Sequence, residues 1–157
     1  MALPDRKHLA RLDRIYVAGE PLYYITCCVL DRRPVLANPV SAEILAAAWR
    51  EADAVHGWQI GRYVVMPDHV HFFASSLAER AKPLSKFMES WKRWTRRKMA
   101  ERGIAFRWQA EFFDHLLRNS ESYGAKWEYV RLNPARAGLV TTPDEWPYQG
   151  EIADLRW

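Results

Sequence analysis

At 157 residues the chain is long enough for one domain, residues 1–157, with a hydrophobic core of its own. Charged residues make up 27% of the chain, which argues against disorder, and no apolar run approaches the roughly 20 residues that cross a bilayer, so no membrane partner is expected. The net charge of +4 is uneven, because residues 82–107 carry nine basic and two acidic side chains, or +7, whereas the rest sums to −3.

The N-terminus and the cysteines indicate a cytoplasmic protein. The first residues lack the basic-then-apolar pattern of a secretory signal. Cys27 and Cys28 are the only cysteines, and adjacent cysteines rarely form a disulfide and do not have zinc-finger spacing. We therefore expect two packing thiols in a reducing compartment.

Hydrophobic periodicity and helix- and turn-forming residues divide the chain into seven elements and a tail. Asn38 and Pro39 suit the start of a helix, and Pro67 and Asp68 suit the tight turn of a hairpin. The predicted elements, in chain order, are a strand (22–30), a helix (39–56), two strands (59–66 and 69–75), a helix (84–102), a strand (112–118), a helix (120–132) and an irregular tail (141–157).

The order β-α-β-β-α-β followed by a helix predicts an α+β fold, a ferredoxin-like antiparallel sheet with an added C-terminal helix. In that topology the first and third strands are neighbours in the middle of the sheet. One face of the sheet carries the two connecting helices, and the other is left for the terminal helix or a ligand.

The third predicted strand begins with two histidines, His69 and His71. Because side chains alternate between the faces of a strand, both imidazoles are expected on one side and Val70 on the other. Two imidazoles on a rigid strand make half of a metal site.

The last predicted helix places three polar side chains along one edge. At about 100° per residue, Tyr129 lies about 100° from the apolar stripe, and Asn133 and Lys126 lie one turn to either side of it. A phenol is a poor nucleophile at neutral pH unless a metal polarises the electrophile. The Asn133 oxygen is a candidate third ligand beside the histidines, in a set that would accept Mn²⁺ readily and Mg²⁺ with more reluctance. The plain alternative is a half-exposed tyrosine with polar neighbours.

The basic segment centres on the helix predicted at 84–102. Most of its basic side chains lack acidic partners at i,i+4, which disfavours a merely solvated helix face and favours a phosphate backbone as partner. The DNA-binding candidates are Lys86, Arg93, Arg96, Arg97 and Lys126.

Three stretches of the chain resemble the single-tyrosine, His-hydrophobic-His (HUH) transposases, and among them the REP-associated tyrosine transposases of bacteria. The matching stretches are 63–71, 108–109 with 113–118, and 128–140. The resemblance implies a ferredoxin-like fold that binds Mg²⁺ or Mn²⁺ through His69 and His71, commonly completed by a polar residue at Asn133. It also implies that Tyr129, and not Tyr123, attacks single-stranded DNA beside a short hairpin, giving a 5′-phosphotyrosine and a free 3′ hydroxyl.

The chain departs from these transposases at a turn residue and in its tail, where residues 146–150 replace the second aromatic and serine pair that relatives often have, and its oligomeric state stays open. Asp68 stands where asparagine is more usual and adds negative charge near the predicted metal. Relatives include monomers and homodimers, so either state is compatible with the resemblance.

Three functions fit these residues. The first is a DNA strand transferase acting through Tyr129, which predicts a metal-dependent covalent adduct with single-stranded or hairpin DNA. The second is a non-catalytic nucleic-acid-binding domain of ferredoxin-like fold, which predicts metal-independent binding without an adduct. The third is a metal-dependent phosphodiesterase that uses water, which predicts a free 5′ phosphate.

Overall fold

The computed structural model describes residues 21–76, 81–117 and 120–155, arranged around one antiparallel sheet. The strands are β1 (Leu22–Cys28), β2 (Trp58–Val65), β3 (His69–Ser76), β4 (Phe113–Leu117) and β5 (Gln149–Glu151). Their order across the sheet is β4-β1-β3-β2-β5. The predicted α+β sheet is therefore confirmed, with the first and third strands adjacent in the middle.

Four α-helices are seen in the described ranges: α1 (Pro39–His56), α2 (Leu84–Glu101), α3 (Ser120–Val130) and α4 (Asn133–Arg136). The predicted start of α1 is confirmed, because the Asn38 side chain accepts a hydrogen bond of 2.9 Å from the Ser41 amide. Gly57 ends α1 with a φ of 74°, a left-handed conformation that suits glycine. None of the helices that the structure describes is long and apolar enough to cross a membrane.

The C-terminal part differs from the predicted arrangement in two ways. The last predicted helix ends at Val130, and Pro134 lies in the first turn of α4, where the missing amide hydrogen costs nothing. The tail is not wholly irregular, because β5 pairs with β2. Gly150 permits this pairing, since a Cβ there would approach the Tyr63 hydroxyl to 2.8 Å.

Some expectations fall on residues outside the described ranges. These are the absence of a secretory signal in the first residues, the final residue of the strand predicted at 112–118, and the last two residues of the tail. The single domain predicted over residues 1–157 likewise includes them and stays a prediction.

The two faces of the sheet are covered differently. The helical face consists of the buried Ile25, Cys27, Val70 and Phe72 and packs on α1 and α2. The histidine face consists of Tyr24, Thr26, His69, His71 and Phe73, since these residues alternate with the first set along β1 and β3. Tyr123 and Trp127 of α3 pack on Phe73 at one end of the histidine face.

Candidate active site

The histidine pair lies at the start of the central strand β3. As predicted, His69 and His71 occupy the same face, with ring centroids 4.8 Å apart and planes 83° apart. Because β3 is paired on both sides, by β1 and β2, the backbone that carries the rings is fixed.

Two hydroxyl groups of β1 hold the His71 ring. Its Nδ1 atom lies 2.6 Å from the Tyr24 hydroxyl and 2.9 Å from the Thr26 hydroxyl. His71 is buried, and burial together with the neighbouring His69 ring lowers the pKa of His71 well below its usual value. The ring is therefore neutral at pH 7, and with Nδ1 engaged, Nε2 is the atom available to a metal.

A carboxylate orients the His69 ring. Nδ1 of His69 lies 2.7 Å from Asp68 Oδ1, and Nε of Arg32 donates to Asp68 Oδ2 at 2.9 Å. Burial raises the pKa of Asp68, but the hydrogen bonds from Arg32 and His69 outweigh it and hold that pKa below its usual range. Because an ionised carboxylate only accepts, Nδ1 carries the proton and Nε2 presents its lone pair.

These two rings fit a divalent cation that keeps open coordination positions. Both Nδ1 atoms are engaged, which leaves two Nε2 donors on the same face. Within the part of the chain that the structure describes, no group of three His, Cys, Asp or Glu side chains is placed to hold a metal. A third ligand from the described residues would therefore be of another kind, such as an amide or carbonyl oxygen, and substrate oxygens and water would fill the remaining positions.

Tyr129 lies on α3 with 60% of its surface exposed, next to two cations. The Arg136 guanidinium lies 4.2 Å from the centre of its ring, and the Lys126 ammonium lies 5.5 Å from it. The same ammonium lies 4.6 Å from the Tyr24 ring, and Tyr24 contacts His71. Tyr129 is thus connected to the histidine face by a short series of contacts.

Tyr24 is a structural phenol rather than a second candidate nucleophile. Burial is the main cause that raises the pKa of Tyr24 to about 12. Its hydroxyl is also committed to His71, so it serves to hold that ring.

The structure gives Asn133 a partner other than a histidine. Its side-chain oxygen accepts a hydrogen bond of 2.6 Å from Arg136, which also donates to the Tyr129 carbonyl at 2.9 Å. Asn133 begins α4 and does not continue the helix that carries Tyr129. Its role as third ligand stays a prediction, and it requires the oxygen to exchange Arg136 for the metal.

The predicted DNA-binding residues fall on opposite sides of the sheet. Lys126 lies beside the histidine face, whereas α2, with the other four, packs on the helical face. Lys86 and Arg93 share the single carboxylate of Glu89, at 3.7 and 3.8 Å. Across the described residues, no acidic side chain lies within 4.0 Å of Arg96 or Arg97, the other two.

Four residues of the site were not singled out from the sequence: Tyr24, Thr26, Arg32 and Arg136. The alternation along β1 already places Tyr24 and Thr26 on one face, but only the register of β1 against β3, which sets Thr26 opposite His71, joins them to the histidines. Arg136 belongs to the third matching stretch, and its closeness to Tyr129 depends on the turn between α3 and α4.

Comparisons with known proteins identify the family. The family model described as "Transposase IS200 like" matches residues 20–129, which include both histidines and Tyr129. The chain belongs to this family of IS200-like transposases. It is similar to the REP-associated tyrosine transposase of Escherichia coli (strain K12), with 25% identity over 140 residues that cover 89% of this chain and 81% of the relative.

A solved structure supports the fold. The structure of a REP-associated tyrosine transposase bound to a REP hairpin matches with a TM-score of 0.68, and the match covers 90% of this chain and 93% of that one. At 21% identity, this likeness concerns the arrangement of the chain alone.

Proposed function

We propose that the protein is a metal-dependent transposase that cleaves single-stranded DNA beside short hairpin-forming repeats and transfers the strand through a 5′-phosphotyrosine at Tyr129. The observation that carries the proposal is the exposed Tyr129 phenol, flanked by Lys126 and Arg136 and connected through Tyr24 to a histidine pair whose Nδ1 atoms are both engaged. Family membership supports the reaction class. The name of the E. coli relative and the hairpin bound in the solved structure support the kind of DNA.

Each residue of the site has a role in this reaction. Nε2 of His69 and His71 would hold Mg²⁺ or Mn²⁺, with the Asn133 oxygen as a third ligand, and the bound cation would draw charge from the scissile phosphate. Asp68 orients His69, and Tyr24 and Thr26 orient His71.

In the chemical step, the Tyr129 hydroxyl loses its proton to solvent and its oxygen forms a bond to phosphorus. The bond between phosphorus and the 3′ oxygen breaks, and that oxygen takes up a proton to leave as a 3′ hydroxyl. Lys126 and Arg136 lie where they can bind the phosphate oxygens beside the phenol. Attack of the 3′ hydroxyl of another strand on the phosphotyrosine reverses the step and joins the strands.

Basic side chains beyond the site would bind the DNA backbone. Lys86, Arg93, Arg96 and Arg97 present their positive charges on the outer surface of α2, and Lys126 adds one beside the nucleophile. Contacts of this kind position a strand and make binding depend on salt, without reading its sequence.

The non-catalytic alternative is disfavoured by the histidine face itself. Sheets of this type that read RNA stack bases on exposed aromatic side chains of the central strands. Here Tyr24 is only 6% exposed and Phe73 is fully buried, so neither presents a surface on which a base can stack.

The proposal is tested by incubating the protein with single-stranded DNA from the repeats that flank its own gene, with Mg²⁺, with Mn²⁺ or with EDTA. We expect a covalent adduct on a denaturing gel in the presence of metal only. Tyr129→Phe should form none, whereas Tyr123→Phe, which removes a buried hydroxyl that accepts from the Arg62 amide, should still form it. If the Tyr129→Phe protein still forms the adduct, Tyr129 is not the nucleophile. A free 5′ phosphate without any adduct would favour a phosphodiesterase.

A further inference from the structure

A second positively charged surface lies on the far side of the sheet from the histidines. A cleft of about 780 Å³ runs between α2 and residues 107–112. A smaller cleft of about 410 Å³ shares Arg96, Ala100 and Arg107 with it and extends to Arg33. The two clefts therefore form one continuous groove with five exposed arginines. Arg93 is paired with Glu89, and we call the other four the arginine track: Arg33, Arg96, Arg97 and Arg107.

One end of the arginine track is linked to the histidine pair by the segment that follows β1. The Leu30 amide donates to the Arg107 carbonyl at 2.8 Å, immediately after β1. Two residues earlier, Cys28 lies opposite His69 in the sheet. Arg32, the neighbour of Arg33, bonds to Asp68, which orients His69. The Arg33 end of the groove is thus connected through Arg32 and Asp68 to His69, while the rest of the groove follows the outer surface of α2.

Most of the charge of the arginine track is available to a ligand. For the described part of the chain, no acidic side chain lies within 4.0 Å of any of its four guanidinium groups. Arg33 uses one N–H to donate to the Ala105 carbonyl at 2.8 Å, which fixes its position and leaves its other N–H groups. The acidic residues that line the two clefts are Asp31, Glu89 and Glu111, and Glu89 is already shared by Lys86 and Arg93.

The backbone at the turn into the arginine track is strained. Asp31 and Arg32 both have positive φ values, of 61° and 54°, which non-glycine residues seldom adopt. Such strain persists only where the surrounding structure holds the backbone in place, and it is often found at functional sites. Here it accompanies the contact of Arg32 with Asp68 and brings Arg33 into the smaller cleft.

The chemistry of the groove suits a phosphate backbone rather than bases. Guanidinium groups bind phosphate oxygens in a forked geometry. The aromatic residues that line the clefts are 6% (Phe106 and Phe112) and 8% (Trp108) exposed, so they offer little surface for base stacking. Because the histidines and the arginine track lie on opposite faces of the sheet, a strand that contacts both must bend around its end. Such a path suits a flexible single strand, whereas duplex DNA resists bending over such short lengths, with a persistence length of about 50 nm.

We propose that the arginine track holds the phosphate backbone of the single-stranded DNA that continues from the cleavage point, independently of its sequence. The assignment rests on the function proposed above, because that function supplies a single strand at the histidine pair. On this assignment, the single-stranded DNA that flanks the hairpin contributes to binding affinity separately from the hairpin itself.

The test measures binding alone, so that its failure is distinct from a failure of the chemistry. Binding of the Tyr129→Phe protein is measured in EDTA by fluorescence anisotropy. The DNA is the hairpin alone, the hairpin with a single-stranded flank, or the hairpin with a flank twice as long, and each flank is placed on the 5′ or on the 3′ side. We expect affinity to rise with the flank. When Arg33→Gln and Arg107→Gln are both introduced into this protein, the rise should disappear. The slope of log affinity against log salt should also become shallower by about 0.7 for each phosphate that the protein no longer neutralises.

A second pair and a matched control exclude an effect of misfolding. Arg96→Gln with Arg97→Gln removes two exposed charges that have no acidic partner among the described residues, and this double variant should also reduce the rise. Lys98→Gln removes a charge of α2 that is paired with Glu101 at 3.5 Å and lines neither cleft, and it should leave the rise unchanged. If affinity still rises fully with the length of the flank in both double arginine variants, the proposal is overturned. If the arginine variants lose the same affinity for the hairpin without a flank, the groove binds the hairpin stem, and the proposal is overturned as well.

Discussion

The helical face and the histidine face are made from alternate residues of the same two strands, yet they differ in almost every property. On the helical face, Val70 and Phe72 are fully buried, and Phe72 packs against Trp49 and Trp91 of the covering helices. On the histidine face, His69 and His71 are held by polar groups, and the half-buried Lys126 lies against the ring of Tyr24, which bonds to His71.

The comparison shows that one strand can serve stability and chemistry separately. The burial of apolar surface on the helical face stabilises the fold. The histidine face therefore does not have to supply this stability. The hydrogen bonds of its buried polar rings fix the orientation of the rings and add little net stability. Substitutions on the two faces should therefore have different signatures: loss of folding on one, and loss of metal binding and DNA cleavage on the other.

The largest expected effect is on cleavage. Replacing both His69 and His71 by Gln should reduce adduct formation at least about a thousandfold, a loss of roughly 4 kcal/mol or more, because the phosphate loses its charge stabilisation. Binding of hairpin DNA in EDTA should be largely retained. Circular dichroism checks that the variant is folded, and retained cleavage by the folded variant would refute the metal role of the pair.

On the helical face, the expected effect is on stability. Phe72→Ala should lower the free energy of unfolding by about 3–5 kcal/mol, because it leaves a cavity between α1, α2 and the sheet. Tyr129→Phe, at an exposed position, should change it by less than about 0.5 kcal/mol. Urea denaturation measures both values. Similar values for the two variants would contradict the division between the faces.

A smaller effect is expected from the carboxylate behind His69. Asp68→Ala should weaken Mn²⁺ binding by about 10- to 100-fold, since the ring loses the acceptor that fixes its Nδ1 proton. Asp68→Asn keeps an oxygen acceptor and should have the milder effect. Isothermal titration with Mn²⁺ alone measures the affinity without any reaction. An unchanged affinity in Asp68→Ala would show that the hydrogen bond does not position the ring.

The smallest expected effect concerns the outer surface of α2. Glu89→Gln releases Lys86 and Arg93 from a shared carboxylate and should tighten binding of single-stranded DNA about two- to fivefold, since exposed ion pairs contribute only roughly 0.2–1 kcal/mol. Glu101→Gln, which releases Lys98, is the matched control and should change affinity less. Equal gains would mean that general charge, and not the position of these cations, determines affinity.

The sequence was sufficient for what depends on local periodicity. The alternation of residues along β3 placed His69 and His71 on one face, and the order of strands and helices gave the central pairing of β1 with β3. Three-residue β5 has no periodicity to detect, and its pairing depends on the close approach of Gly150 to Tyr63. The order of elements also placed both connecting helices on one face of the sheet. The partners of His71 on β1, and the face on which the histidines lie, follow from register and packing, which involve residues distant in sequence.

The central claim is that Tyr129 becomes linked to DNA, and mass spectrometry of the trapped complex tests it most directly. Digestion with trypsin after Lys126 and Arg131 yields a five-residue peptide in which Tyr129 is the only tyrosine. With Mg²⁺ or Mn²⁺ present, this peptide should carry the 5′-phosphorylated nucleotide, and the released strand should end in a 3′ hydroxyl. A nucleotide attached to the preceding peptide, which contains Tyr123, or to any other part of the chain would contradict the account.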